Sequence, residues 1–151
     1  GRKTACMDNP ALNVREWHGN APIRILIDPE LLTPNSYKIY DESSRVLIFN
    51  YKKGCAVKNR EYIEINKDES LCNQIRRALF ERNIQSVIVE GGSNILNQFI
   101  EENCWDEIKR FVGDIHLTSG VKAPQFESLP ANIIKLENSI LYEYSNLNPK
   151  L

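Results

Sequence analysis

Apolar residues along this chain come in short runs, and the spacing within each run sorts them into strands and helices. Pro22-Ile-Arg-Ile-Leu-Ile-Asp28 is apolar nearly throughout and bracketed by Pro22 and Pro29, the pattern of a buried strand. Arg45-Val-Leu-Ile-Phe-Asn50 reads as a second, and its unbroken apolar stretch implies cover on both faces, as in a parallel sheet. Between them, 31–44 carries Pro34, Asn35 and Ser36 and no period, so it reads as loop. Residues 61–65 alternate and predict a short third strand. Asn66-Lys-Asp-Glu69 resembles a capping box, and the helix it opens sets Leu71, Ile75 and Leu79 on one stripe with Ala78 beside them. Arg76, Arg77, Glu81 and Arg82 form its solvated face. Ile84-Gln-Ser-Val-Ile-Val-Glu90 is the clearest strand pattern. It passes through Gly91-Gly92 into a helix marked by Ile95, Leu96, Phe99 and Ile100. Residues 106–117 predict a long strand, and 133–136 and 140–144 two closing strands joined at Glu137-Asn138-Ser139.

The order is β, β, β, α, β, α, β and a final hairpin. It predicts an α/β domain of three layers, with a mixed, mostly parallel sheet and an antiparallel C-terminal hairpin. At 151 residues the chain reads as a single domain, 1–151.

Composition narrows the function. Hydrophobic residues make up 42% and charged ones 26%, an ordinary globular balance. A net charge of -1 gives no electrostatic case for nucleic acid or an anionic membrane as the main partner. Apolar runs of about four residues are far too short to span a bilayer, and the start has no signal-peptide pattern. Cys6, Cys55, Cys72 and Cys104 show no C-x-x-C spacing, and only His18 and His116 could join them, so no metal site is expected. Free thiols suit a cytoplasmic protein. Because the chain opens on Gly1 rather than Met, it is expected to be a fragment of a longer protein.

Two segments carry candidate chemistry. In Gly1-Arg-Lys-Thr-Ala-Cys-Met-Asp-Asn-Pro-Ala-Leu-Asn-Val-Arg15, Thr4, Asp8 and Arg15 stand at spacings of four and seven around an Asn9-Pro10 turn signal. Read as a loop, this displays a hydroxyl, a carboxylate and a guanidinium together, suited to a phosphorylated ligand; a plain solvated loop has the same composition. The second segment is strand, Glu90-Gly91-Gly92-Ser93, helix. Paired glycines let backbone approach a ligand, and the helix behind them offers unpaired N–H groups to phosphate. Ser93 could cap that helix or bond a phosphate oxygen. The third glycine of G-x-G-x-x-G and the lysine of a P-loop are missing, and a Gly-Gly turn also serves structure alone. Glu90 would stand at the carboxyl end of a strand, where α/β proteins bind ligands. His116, on the long strand, and Trp17 and Trp105 read as structural.

These residues bring a resemblance. The opening segment resembles the "G-x-x-T-x-x-x-D-[DN]-P-x-L-x-x-R" motif of the reductase domain of the bifunctional riboflavin-biosynthesis deaminase/reductase family. Ile88-Val-Glu-Gly-Gly-Ser-Asn-Ile-Leu96, the Trp105-Asp106-Glu107 entry to a strand, and Gly120-Val-Lys-Ala-Pro124 are similar to later family segments, in order. The resemblance implies a dihydrofolate-reductase-like fold whose N-terminal strand would be missing here, a homodimer, and a deaminase domain fused upstream. It implies NADPH as cofactor and a small phosphorylated pyrimidine as substrate, 5-amino-6-(5-phosphoribosylamino)uracil, whose ribosyl group becomes ribityl by hydride transfer to C1′.

Residue by residue, it implies cofactor contacts for Thr4, Asp8, Gly92, Ser93, Asn94, Ile95, Leu96, Asn97 and Gln98, and substrate contacts for Leu12, Arg15 and Glu90. Asp8 and Glu90 are the candidate proton carriers. Asp114, Thr118 and Pro29 depart from the residues usual in the family, which bears on cofactor affinity. A non-catalytic nucleotide-binding fragment, or a related reductase for another pyrimidine or pteridine, is the alternative. The deaminase H-x-E and P-C-x-x-C signatures do not occur in this sequence.

Overall fold

The computed structural model describes residues 1–52 and 54–149. It has two compact units, Gly1–Gly92 and Ser93–Leu151.

In the first unit, β1 (Arg24–Ile27), β2 (Val46–Asn50) and β3 (Arg60–Glu64) form a parallel sheet in that order, with Leu26 beside Ile48 and Ile48 beside Tyr62. The middle strand has a neighbour on each edge and cover on each face, so it needs no polar side. All five of its residues are buried, and Val46 to Phe49 expose nothing. Ala5, Leu26, Ile39, Tyr40, Val46 and Ile48 cluster as core, and Leu12, Leu31, Tyr37 and Tyr62 pack against them. Within the stretch read as loop, Lys38–Tyr40 makes one 3₁₀ turn.

Helix α2 (Leu71–Phe80) buries Cys72, Gln74, Ile75, Ala78 and Leu79, close to the expected stripe. Its cap is not Asn66. Ser70 takes that role, its hydroxyl accepting from the Asn73 N–H at 3.1 Å, while Asn66 Oδ1 closes a turn on the Asp68 N–H. The Gln74 amide accounts for the shift: it accepts from Asn66 N at 2.7 Å and donates to Asn66 O at 2.9 Å, fixing Asn66 before the helix begins. On the face read as solvated, Arg82 instead bonds Glu61 at 2.8 Å through Nε.

Three further readings change here. Residues 2–8 are not loop but α1 (Arg2–Asp8), closed by Asn9 at φ 43°, ψ 54°, whose N–H bonds Ala5 O. Asn9-Pro10 is a helix stop rather than a turn between loops. Trp17 is 85% exposed and packs nothing into a core. Residues 84–90, the clearest strand pattern, belong to no ladder, and Val87 and Ile88 lie exposed. A strand exists only through its neighbours' N–H and C=O groups, and among the described residues none pairs with this segment.

In the second unit, α3 (Ser93–Glu101) buries Phe99. Strands β4 (Glu107–Gly113), β5 (Asn132–Lys135) and β6 (Ser139–Ser145) form an antiparallel sheet in the order β4-β6-β5. The hairpin closes where Leu136 N donates to Ser139 O at 2.8 Å. The fourth strand ends at Gly113, short of the expected Leu117, so His116 lies beyond it and exposed. Phe126 stands edge-on to Trp105 at 6.1 Å and to Tyr144 at 4.8 Å, giving this unit a small aromatic core that includes Trp105 as expected. The α/β class, the parallel ladder and the antiparallel hairpin all follow the sequence reading.

Candidate functional site

In open α/β sheets, ligands gather outside the carboxyl ends of parallel strands. Two of the three carboxyl ends here close on polar side chains that are already committed. Asp28, wholly buried after β1, accepts from Leu32 N at 3.1 Å and Thr33 N at 2.8 Å, pinning the outgoing loop. Asn50, equally buried at the end of β2, donates to Ile48 O and accepts from Lys52 N. Neither is free to meet a ligand. The Tyr40 phenol is pushed up to about 12, by burial first and by the Asp28 charge second, so it stays protonated.

Helix α1 is set at this end of β1 through Arg2, whose Nε lies 3.8 Å from Asp28 Oδ1. That anchor presents Thr4 and Asp8, four residues apart, on one helical face. Thr4 is half-buried and Asp8 exposed. Gly92 comes close to this helix: a Cβ built on it would stand 3.1 Å from Thr4 Oγ1, tighter than nearly all real contacts. The backbone at the Gly91-Gly92 turn thus runs close to the Thr4 hydroxyl, so that a side chain at Gly92 would require Thr4 to give way by a few tenths of an ångström. Leu12, at φ 47°, packs on the core cluster. Arg15 and Glu90 are exposed, with no hydrogen bond or ion pair among the described residues.

The second unit holds a separate feature. Ser93, Asn97 and Glu101 of α3 line an open depression of about 440 Å³, together with Val121, Lys122, Ala123 and Gln125. Of the seven consecutive residues singled out by resemblance, Gly92 stands just ahead of the helix and the six on α3 divide among different surroundings. Ser93 and Asn97 line the depression. Asn94 and Gln98 bond one another, Nε2 to Oδ1 at 2.9 Å, and Ile95 and Leu96 lie half-buried on the apolar stripe. Glu101, Lys122 and Gln125 were not foreseen as site residues. The interval of four through Ser93, Asn97 and Glu101 was the available signal for the first.

The family model described as the RibD C-terminal domain matches residues 1–139. This chain belongs to that family. Among RibD C-terminal domain relatives, the riboflavin biosynthesis protein RibD of Chlamydia trachomatis is 32% identical over 117 residues, covering 68% of this chain and 30% of its own length. That of Aquifex aeolicus is 31% identical over 150 residues, covering 91% and 42%. In structure, the chain is similar to a diaminohydroxyphosphoribosylaminopyrimidine deaminase/5-amino-6-(5-phosphoribosylamino)uracil reductase from Thermotoga maritima, at a TM-score of 0.77 and 26% identity, covering 93% of this chain and 42% of that one. The chain therefore spans well under half the length of these relatives.

Proposed function

We propose that this chain is an NADPH-dependent reductase acting on 5-amino-6-(5-phosphoribosylamino)uracil, converting its ribosyl group to ribityl. The observation that carries the reading is the approach of Gly92 to Thr4: backbone held side-chain-free at the start of a helix is where a dinucleotide's pyrophosphate sits, on N–H groups that have no partner within the helix. The polar lining of the depression on α3 fits the same phosphorylated cofactor.

A reduced nicotinamide, when bound, supplies the hydride. The chain's own residues hold and orient. Thr4, Asp8 and the segment from Gly92 to Gln98 face the cofactor in this reading, with Ser93 and Asn97 foremost. Leu12 and Glu90 contact the substrate, and the exposed guanidinium of Arg15 offers a planar fork of donors to its phosphate. Reduction of the ring-opened, imine-like group adds hydride at C1′ and a proton at the attached nitrogen. Asp8 and Glu90 are the carboxylates that can hold that proton. Positioning two phosphorylated ligands supplies the acceleration. The reading carries with it a cytoplasmic homodimer and a deaminase portion elsewhere in a longer polypeptide.

Calorimetric titration with NADPH tests it. Gly92→Val should lower affinity at least about tenfold, because its branched carbon meets Thr4. Arg15→Ala should leave NADPH binding unchanged and weaken the phosphorylated substrate by about 1.5–3 kcal/mol, the worth of a charge-assisted hydrogen bond. A folded Gly92→Val protein with wild-type affinity would refute the site.

A further inference from the structure

Helix α1 carries Thr4 and Asp8 yet has little of its own to stand on. So short a helix does not hold itself in water, it buries Ala5 alone, and its terminal charges oppose its dipole. Polar ties hold it at its start, middle and end, and each reaches β1 or the connection between β1 and β2. At the start, Arg2 pairs at 3.8 Å with Asp28, which is wholly buried and already accepts from the Leu32 and Thr33 amides. Midway, the Cys6 carbonyl accepts from the Tyr37 hydroxyl at 3.4 Å. At the end, Asn9 Oδ1 accepts from the Lys38 amide at 2.8 Å.

The last tie is the most informative. Lys38 opens the 3₁₀ turn, where its N–H has no partner inside the turn, and buried Arg24 holds its carbonyl at 3.5 Å. Asn9 stands at φ 43°, the left-handed conformation that ends α1 directly after Asp8. One residue thus stops the helix with its backbone and fastens it with its side chain. A drift of α1 by a few tenths of an ångström would change the gap between Thr4 Oγ1 and the Gly92 backbone. We propose that Asn9 and Arg2 are positioning residues of the cofactor site: they fix the two ends of α1 and so set Thr4 and Asp8 where the cofactor meets them. The inference rests on the reading that Thr4 and Asp8 face NADPH, and it adds what holds them there.

Calorimetric titration with NADPH tests this on paired variants. Asn9→Gly adopts the left-handed backbone without strain and removes the side-chain tie, so it should weaken NADPH about fivefold to tenfold. Asn9→Asp keeps an acceptor oxygen there and should stay within about twofold of wild type. Arg2→Gln should lose a similar factor and Arg2→Lys should recover most of it, with thermal melts confirming the fold of each variant. Wild-type affinity in a folded Asn9→Gly or Arg2→Gln would overturn the proposal, and so would a conservative variant as weak as its disruptive partner. Amide exchange on the wild type reads the same link without a variant. NADPH should slow the Lys38 amide together with those of Ala5 and Asn9, which bond Gly1 O and Ala5 O. Slowing at Ala5 and Asn9 with none at Lys38 would overturn the proposal while leaving the reductase reading intact. A wild-type chain that does not bind NADPH would strike that reading itself, and this inference with it.

Discussion

Strands β2 and β4 are both rich in apolar residues, yet they stand in opposite circumstances. Every residue of β2 is buried, whereas β4 leaves Phe111 63% exposed and Val112 38% exposed. The first strand sits mid-sheet among parallel neighbours, and its stability comes from apolar surface removed from water. The second is held by its antiparallel ladder to β6 and by cross-strand pairs, Lys109 with Glu143 at 2.8 Å and Arg110 over the Tyr142 ring at 5.2 Å. One chain thus uses two different sources of order. Mutation should tell them apart.

The largest contrast should come from the two phenylalanines. Phe49→Ala is expected to cost about 3–5 kcal/mol, since the site is sealed and leaves a cavity. Phe111→Ala should cost less than about 1 kcal/mol. Urea unfolding of both variants measures this. Equal costs would break the comparison and show that something covers Phe111 in solution; repeating the melt at rising protein concentration would then identify that cover as a second copy if the cost grows with concentration.

A smaller contrast concerns the arginines. Arg24, wholly buried in β1, donates to Asp41 Oδ1 at 2.7 Å, to Ser43 Oγ at 2.6 Å and to the Ile39 carbonyl at 3.3 Å. It clamps the end of the 3₁₀ turn onto the sheet. Arg24→Leu should cost about 2–3 kcal/mol, because charged hydrogen bonds are lost and a buried carbonyl is left without its donor. Arg110→Leu, which gives up one exposed cation–π contact, should cost about 0.5–1 kcal/mol at most. The same chemical melts rank the pair.

Much of this was legible in the residues, and what was not has physical causes. The run Val-Leu-Ile-Phe announced β2, because only a strand covered on both faces can afford such continuity. Helix α1 was hidden because its charges oppose the dipole, Arg2 and Lys3 at the start and Asp8 at the end, and because it buries only Ala5. The strand pattern of 84–90 was real in composition, but pairing is a property of neighbours that no single segment encodes. At the site, motif spacing picked out Thr4 and Gly92, which the fold does bring together. It could not foresee Lys122 across from α3, since that juxtaposition joins residues far apart in sequence.

The smallest expected effect is one of acidity. Asp41 is held down to about 2, first by the hydrogen bond from Arg24 and then by those from Ser43. A depressed folded value means that its contribution is complete above the ordinary carboxylate range, about 4, and is lost as pH falls through 2. Asp41→Asn should therefore flatten the acid limb of a plot of Tm against pH between 4 and 2. Glu143, lowered by its exposed partner Lys109, should move that limb less when replaced by Gln. A larger flattening from Glu143→Gln than from Asp41→Asn would reverse that ranking.

The segment before Gly91 has a consequence for handling the protein. Val87, Ile88 and Val89 form an apolar run with strand-forming side chains and no charge between them, and their amides meet no backbone partner among the described residues. Such a run is a template onto which another molecule's strand can add, and colloidal stability then depends on how often two copies meet. Light scattering should register this as growth that scales with concentration, and a single lysine in place of Ile88, which is 82% exposed, should suppress it without disturbing the core.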